Sequence, residues 1–402
     1  MQQQPKSKIA SLAVIYLTVF IDLLGFGIIL PLLPFYAVQF GASGLWVGIL
    51  GTAYSAAQFA GAPIIGRLSD KYGRRPVLIA ALFGSVVSLT IAGFATNLYV
   101  LIAARALAGL FGGSIAAAQA YVADVTTPAE RSKYMGLLGA SIGMGFVFGP
   151  AIGASLSGFG FGTAALVAAA IAAVNLVAAL FLLKESRTVS GAESRRAFAF
   201  AGLRHALQND AIRSVLAATF LCTLAFVAME TTYALLGSRR FGLTPHALGY
   251  VFTYIGIVVV IVQGGLIGRV VKIWGERRVA MVGAVIMMSG LIAVAMAPTL
   301  TWSIASLGLL SAGQAFTSPT LATMLSRCAN RDEQGGVLGL SQSLAAAARG
   351  IMPVMAGWLF DFQAALPYLV GATVCFLAAG IIGAAGSAGL VVKPEQGAAK
   401  IG

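Results

Sequence analysis

Apolar runs, each closed by a short cluster of charged or turn-forming residues, repeat from one end of the chain to the other. A helix needs about 20 predominantly apolar residues to cross a bilayer, and the pattern predicts twelve such helices. The first six run near residues 9–36, 46–66, 77–95, 99–122, 134–157 and 162–183. The second six run near 212–236, 247–268, 279–297, 301–325, 336–359 and 367–390. Between the sets lies the longest polar stretch, residues 184–211. It reads as a linker, and FAGLRHALQND within it suits a short interfacial helix.

Composition agrees with this pattern. Of 402 residues, 59% are hydrophobic and 10% charged, against about 25% charged in soluble domains. The 49 glycines show no collagen period, and a mean hydropathy of +0.91 is too high for a disordered linker. The net charge of +13 is scattered in small groups between apolar runs rather than gathered on one face, so no nucleic-acid partner is expected. Its distribution instead orients the chain. With both termini inside, 22 of the 26 Lys and Arg fall on inner segments, and only Arg239 and Arg240 lie on outer connectors. That bias predicts a multi-pass protein of the cell's inner (plasma) membrane with both termini cytoplasmic. Cys222, Cys328 and Cys375 are far apart, which argues against a disulfide framework or a metal site. The run after MQQQPKSK is too long for a signal peptide and is expected to stay as the first helix.

The two halves also match each other. GRLSDKYGRR at 66–75 aligns with GRVVKIWGER at 268–277, an offset of 202. AERSKYMGLLG before Pro150 aligns with DEQGGVLGLSQ before Pro353, an offset of 203. The expected architecture is therefore all-α and integral to the membrane. Twelve transmembrane helices form two pseudo-symmetric six-helix bundles, residues 1–183 and 212–402, joined by the cytoplasmic linker 184–211. In such a repeat the substrate site lies at the midplane between the halves, and access alternates as they rock.

Two of the thirteen carboxylates fall well inside predicted spans, Asp22 in the first and Glu230 in the seventh. A charge at mid-bilayer costs about 2.5–3.5 kcal/mol, so each must face a cavity or a partner. Both are candidate proton carriers, and a permanent ion pair with Arg105 or Arg349 is the structural alternative. Neither histidine competes, since His205 lies in the linker and His246 in an outer connector. The absence of an intramembrane histidine also argues against an enzyme. One proton crossing 100 mV supplies about 2.3 kcal/mol, roughly a fifty-fold gradient. Arg349 aligns with Phe146 and so has no counterpart in the first half; it can pair with Glu230 or hold an anionic substrate group. Gly139, Gly143, Gly145, Gly149 and Gly153 form a small-residue face interrupted by Pro150. Close helix packing explains that face, and the proline permits a bend. Tyr54, Gln58, Gln119, Met229, Tyr233, Tyr254, Gln263 and Gln314 are candidate cavity residues, and each singly also fits interhelical packing.

GRLSDKYGRRP resembles the loop signature of the major facilitator superfamily, and RALAGLFGG from Arg105 resembles its fourth-span motif. GFVFGPAIG at 145–153 is similar to the fifth-span motif of the proton-driven drug antiporter branch, and IDLLGFGIILPLLP at 21–34 to the first span of tetracycline-efflux proteins. The resemblance covers the whole chain. It implies a latch at Gly66, Asp70, Gly73, Arg74 and Arg75, in which Asp70 meets Arg74 and the positive end of a neighbouring helix. It further implies that Arg105 responds to protonation of a nearby carboxylate, and that the helix of Gly145, Gly149, Pro150 and Gly153 seals and gates the cavity. The expected activity is export of small amphipathic drug-like compounds against a proton gradient, by a monomer in membrane lipid without a bound cofactor. A proton symporter of a sugar or small metabolite, or an exporter of lipid or organic anions, is the alternative. Lys272 replaces Asp70 in the second half, so no full latch is expected there. Spans three and nine lack the acids that tetracycline exporters carry, which speaks against metal-chelated tetracycline as the substrate.

Overall fold

The computed structural model describes residues 5–112, 114–126, 128–183, 185, 208–329 and 334–384. In the first half the helices are α1 (Pro5–Ile29), α2 (Leu33–Gln39), α3 (Gly44–Tyr72), α4 (Arg74–Gly93), α5 (Leu98–Phe111), α6 (Ser114–Val125), α7 (Pro128–Leu156) and α8 (Phe161–Leu182). In the second they are α9 (Asp210–Phe241), α10 (Pro245–Ile261), α11 (Ile267–Ala295), α12 (Leu300–Cys328), α13 (Gln334–Phe362) and α14 (Leu366–Ala384). Polar residues in the connectors start several of them. Asn97, Asn209, Thr244 and Thr299 accept from the N–H of Val100, Ala211, Ala247 and Trp302, each satisfying an amide that a helix start leaves without a partner.

The described helices make twelve crossings, with interruptions that the apolar pattern did not mark. The first crossing is divided into α1 and α2 beside Pro31 and Pro34, and the fourth into α5 and α6 at Gly112. The eighth widens into a π-helical turn at Val262–Leu266; it ends at Gly275, inside the connector expected between the eighth and ninth spans, where a φ of 75° turns the chain within α11 into the ninth. By length and apolar composition alone, eight stretches qualify as spans; one of them, Pro245–Ala295, holds both the eighth and ninth crossings.

Each set of six crossings packs as its own bundle. In the first, α1 lies against α7 and α8, and α3 against α5; in the second, α9 lies against α13 and α14, and α11 against α12 and α14. The bundles repeat each other down to single contacts. Gly73 (φ 101°) and Gly275 (φ 75°) both take the left-handed side of the map. Arg75 donates to the Leu180 carbonyl (2.7 Å) and Arg277 to the Ile382 carbonyl (3.1 Å), so donor and acceptor are both shifted by the repeat offset. Arg74 pairs with Asp124 at 3.0 Å, while Arg327 pairs with Glu276 at 2.8 Å. These bridges occupy equivalent places with their charges exchanged, an exchange that leaves the attraction intact. All these contacts lie at the end of the molecule that carries the basic loops, here called the basic end.

The bundles meet along two antiparallel helix pairs, α3 with α13 and α7 with α10. Glycines let the backbones approach at the end opposite the basic one. A Cβ at Gly44 would lie 2.7 Å from the Gly357 carbonyl oxygen, and one at Gly48 would overlap the Pro353 backbone. On the other pair, a Cβ at Gly249 would lie 2.6 Å from that of Ala154. Small residues of this kind are how membrane helices maximise contact where lipid offers no hydrophobic drive. The approach then loosens along both pairs. A Cβ at Gly256 would lie 3.1 Å from Val147 and one at Gly143 would lie 3.6 Å from Val260, whereas Gly136, Gly139, Gly264, Gly336 and Gly339 have nothing within 4 Å. The seam is shut at the far end and opens toward the basic end.

Candidate functional site

The middle of this seam gathers the intramembrane charges. Arg105, on α5, is only 8% exposed, and its Nε has no hydrogen-bond partner. Its guanidinium carbon instead stands 4.5 Å from the ring centre of Tyr54 and 5.6 Å from that of Phe26. A desolvated cation gains about 2 kcal/mol from an aromatic face, whereas burying an unpaired ion costs several kcal/mol. The two rings therefore leave Arg105 with an unmet demand for an anion. Glu230 on α9 and Arg349 on α13 are half-buried, and neither they nor Arg105 enters any of the ion pairs seen among the described residues. Glu230 lies in the field of Arg349 first and Arg105 second, and Tyr54 in the fields of Arg105, Asp22 and Arg349. Asp22 on α1 is half-buried and accepts a hydrogen bond from the Ser85 hydroxyl of α4 at 3.2 Å. Four charges from four helices and both bundles thus share one region. Across it, the Thr52 hydroxyl donates to the Gly350 carbonyl at 2.8 Å.

The other candidate cavity residues divide. Gln58 donates to the Gly112 carbonyl at 2.9 Å and so satisfies a backbone group freed where the fourth crossing breaks. Tyr54 and Tyr254 are half-buried, and the Tyr254 hydroxyl rests on Gly308. Gln119 and Gln263 are exposed, the latter within the π turn. Gln314 is half-buried with its Oε1 lacking a hydrogen-bond partner. Met229 and Tyr233, expected as lining residues, are fully enclosed instead. Met229 precedes Glu230 and is rotated about 100° around the helix from it, while the Tyr233 hydroxyl pairs with Ser303 of α12 at 3.0 Å.

At the basic end, Arg74 bonds Asp124 and donates to the Ser69 hydroxyl at 3.0 Å. The amides of Arg74 and Arg75 donate to the Glu185 carboxylate at 2.8 and 3.1 Å, which caps α4 from the end of α8. Gly73 makes room for this, since a Cβ there would lie 2.5 Å from Glu185 Oε2. The surroundings of Gly66 and of the Asp70 side chain lie outside the described residues. On α7, a Cβ at Gly145, Gly149 or Gly153 would lie only 2.6–2.7 Å from Leu23, Gly27 or Ile28 of α1, so these glycines seal the first bundle internally. Pro150 withholds the N–H that would bond the Phe146 carbonyl, and both that carbonyl and its own face glycines of α10 across the seam.

Sequence reasoning passed over Phe26, Asp124 and Glu185. Phe26 carried no signal beyond its hydrophobicity. Asp124 did carry one, because a Lys or Arg placed about 202 residues away from an acid, with the reverse at its partner, marks a bridge kept by both repeats.

The chain matches the Major Facilitator Superfamily over residues 15–267 and 238–399. It is 30% identical over 380 residues to Multidrug resistance protein 2 of Bacillus subtilis (strain 168), covering 90% of this chain and 92% of the relative. It is also 30% identical over 376 residues to the class C Tetracycline resistance protein of Escherichia coli, covering 90% and 94%. Among solved structures, the human organic anion transporter MFSD10 superposes with a TM-score of 0.70 at 24% identity, covering 94% of this chain and all of that one. A bacterial homologue of the lysosomal transporter Spinster, inward-facing and occupied, superposes with a TM-score of 0.73 at 14% identity, over 95% of this chain and 97% of that one. The protein belongs to the Major Facilitator Superfamily, a family of transporters.

Proposed function

We propose that the protein is a proton-coupled antiporter that exports small amphipathic compounds by alternating access, with its basic end and both termini on the cytoplasmic side of an inner membrane. It would act as a monomer and draw on the proton gradient rather than a bound cofactor. The observation that carries this reading is the set of charges Arg105, Glu230 and Arg349, which enter none of the ion pairs among the described residues and sit in a seam that opens toward the basic end. A compound entering from that end reaches Glu230 directly. Its positive group pairs with the carboxylate in place of a proton, so substrate and proton compete for one site. Asp22 is the second proton carrier. Arg105 couples the two acids, because it never deprotonates usefully and can only change partners. When a proton neutralises one carboxylate, the guanidinium turns to the other. The names of the multidrug and tetracycline resistance relatives agree with export.

The test is transport of a fluorescent cationic amphiphile in everted membrane vesicles energised with a proton gradient. Glu230→Gln and Asp22→Asn are each expected to lower gradient-driven uptake by tenfold or more, on the order of the 1.4 kcal/mol or more that a lost charge-assisted contact is worth. Undiminished uptake in both variants would end the proposal. A second reading, export of anionic amphiphiles, has one observation in its favour: two guanidinium groups, Arg105 and Arg349, make no ion pair among the described residues. Substrate preference in the same vesicles separates the two readings.

A further inference from the structure

The first turn of α3 is capped from the other bundle. Asp361, in the last turn of α13, accepts the Gly44 N–H at 2.8 Å through Oδ1 and the Leu45 N–H at 2.9 Å through Oδ2. These are two of the amides that a helix start leaves without partners, at the positive end of its dipole. The residue placed to cap them locally, Ser43, has the extended backbone of an N-cap yet makes no side-chain cap bond. Asn97, Asn209, Thr244 and Thr299 all cap their own helices. Gly44 admits the carboxylate because a Cβ there would lie 2.8 Å from Asp361 Oδ1. The end of α13 is itself tied to its own bundle, with Arg239 of α9 over the Phe360 ring at 4.9 Å. Glu185 also caps a helix start from a distance, but inside one bundle, so rocking of the bundles leaves it unchanged.

We infer that Asp361 is a counter-latch: it holds the far end of the seam shut, and it must release Gly44 and Leu45 for that end to open. The placement of acids along the helix pair supports this. Helices α3 and α13 are antiparallel, each has 29 residues, and each carries an aspartate in its last turn, Asp70 and Asp361. One acid stands at each corner where the other helix begins. At the Asp361 corner the helices touch; at the other, Gly336 and Gly339 of α13 have nothing within 4 Å. Two rigid helices rocking about their middle close one corner at a time. The pair then works as a see-saw in which the Asp361 contacts hold the far end and their release accompanies closure of the basic end, and the inference rests on the alternating access proposed above.

Hydrogen–deuterium exchange of the purified full chain in detergent tests this, comparing wild type with Asp361→Ala, Asp361→Asn and Asp70→Ala. In the two Asp361 variants, residues 43–50 are expected to exchange about fivefold faster, the usual worth of a side-chain cap. Residues 334–345 should slow by a similar factor as the basic end closes more often. Asp70→Ala should move both segments the opposite way. Faster exchange confined to 43–50 would reduce Asp361 to a local cap and overturn the inference. If Asp70→Ala moves both ends and the Asp361 variants move neither, the counter-latch alone falls. If no variant couples the two ends, alternating access along this helix pair falls with it.

Discussion

Arg105 is a cation that the protein buries beyond what its neighbours repay. Such groups persist at functional sites, and they have a diagnostic behaviour under mutation. Replacing even a buried ion pair by well-packed apolar side chains of similar volume is often neutral or stabilising by about 1–4 kcal/mol, and a buried ion without a paired carboxylate has less to lose. Arg105→Met is therefore expected to raise the melting temperature of the purified protein, or leave it unchanged, while transport falls by at least tenfold. Thermal unfolding in detergent and vesicle uptake read the two effects separately. A large drop in melting temperature would make Arg105 a structural residue. Arg105→Lys should not restore transport, because an ammonium lacks the planar face that stacks on Tyr54 and Phe26. At this scale the sequence was informative about charge and poor about contact. It singled out Asp22, Glu230, Arg105 and Arg349, since a charged residue inside an apolar run stands out. It did not reveal that Met229 and Tyr233 turn away from the seam, because which side of a buried helix faces a cavity is decided by its neighbours.

At the scale of elements, the repeat supplies internal controls. Gly73 and Gly275 occupy equivalent turns with positive φ, where a side chain costs about 1–2 kcal/mol. Beside Gly73 stands the Glu185 carboxylate; beside Gly275 a Cβ would meet nothing within 4 Å. Gly73→Ala should therefore destabilise the protein more than Gly275→Ala, with the difference visible in melting temperature; equal losses would mean that Glu185 yields freely. The exchanged bridges allow a second comparison. Asp124→Arg alone should lower stability, and adding Arg74→Glu, which gives the first bundle the pairing of the second, should recover most of the loss. The recoverable part is about 1 kcal/mol or less, since both partners are partly exposed. No recovery would separate the bridge from the stability of the loop. The twelve spans were legible because a bilayer imposes length and composition. The break at Gly112 was not, because it depends on a partner, Gln58, to which the Gly112 carbonyl is released; the turn at Gly275 falls in the connector expected between the eighth and ninth spans, where its counterpart Gly73 turns in the first half. Asp361 read as one more acid in a connector, since nothing local says that its carboxylate reaches across the seam to another helix.

For the whole molecule, the two glycine-lined helix pairs form a hinge-like seam closed at one end, and the charges lie along its middle. Which end is shut was not legible in the sequence; the close approaches at Gly44, Gly48 and Gly249 reveal it. In the proposed cycle substrate and proton compete for Glu230. Proton release by the purified protein in weak buffer near neutral pH, as cationic, neutral and anionic amphiphiles are added in turn, tests this. Release is expected on binding of a cationic amphiphile, lost in Glu230→Gln and reduced in Asp22→Asn. Tight binding without release, or release that survives both substitutions, would contradict it.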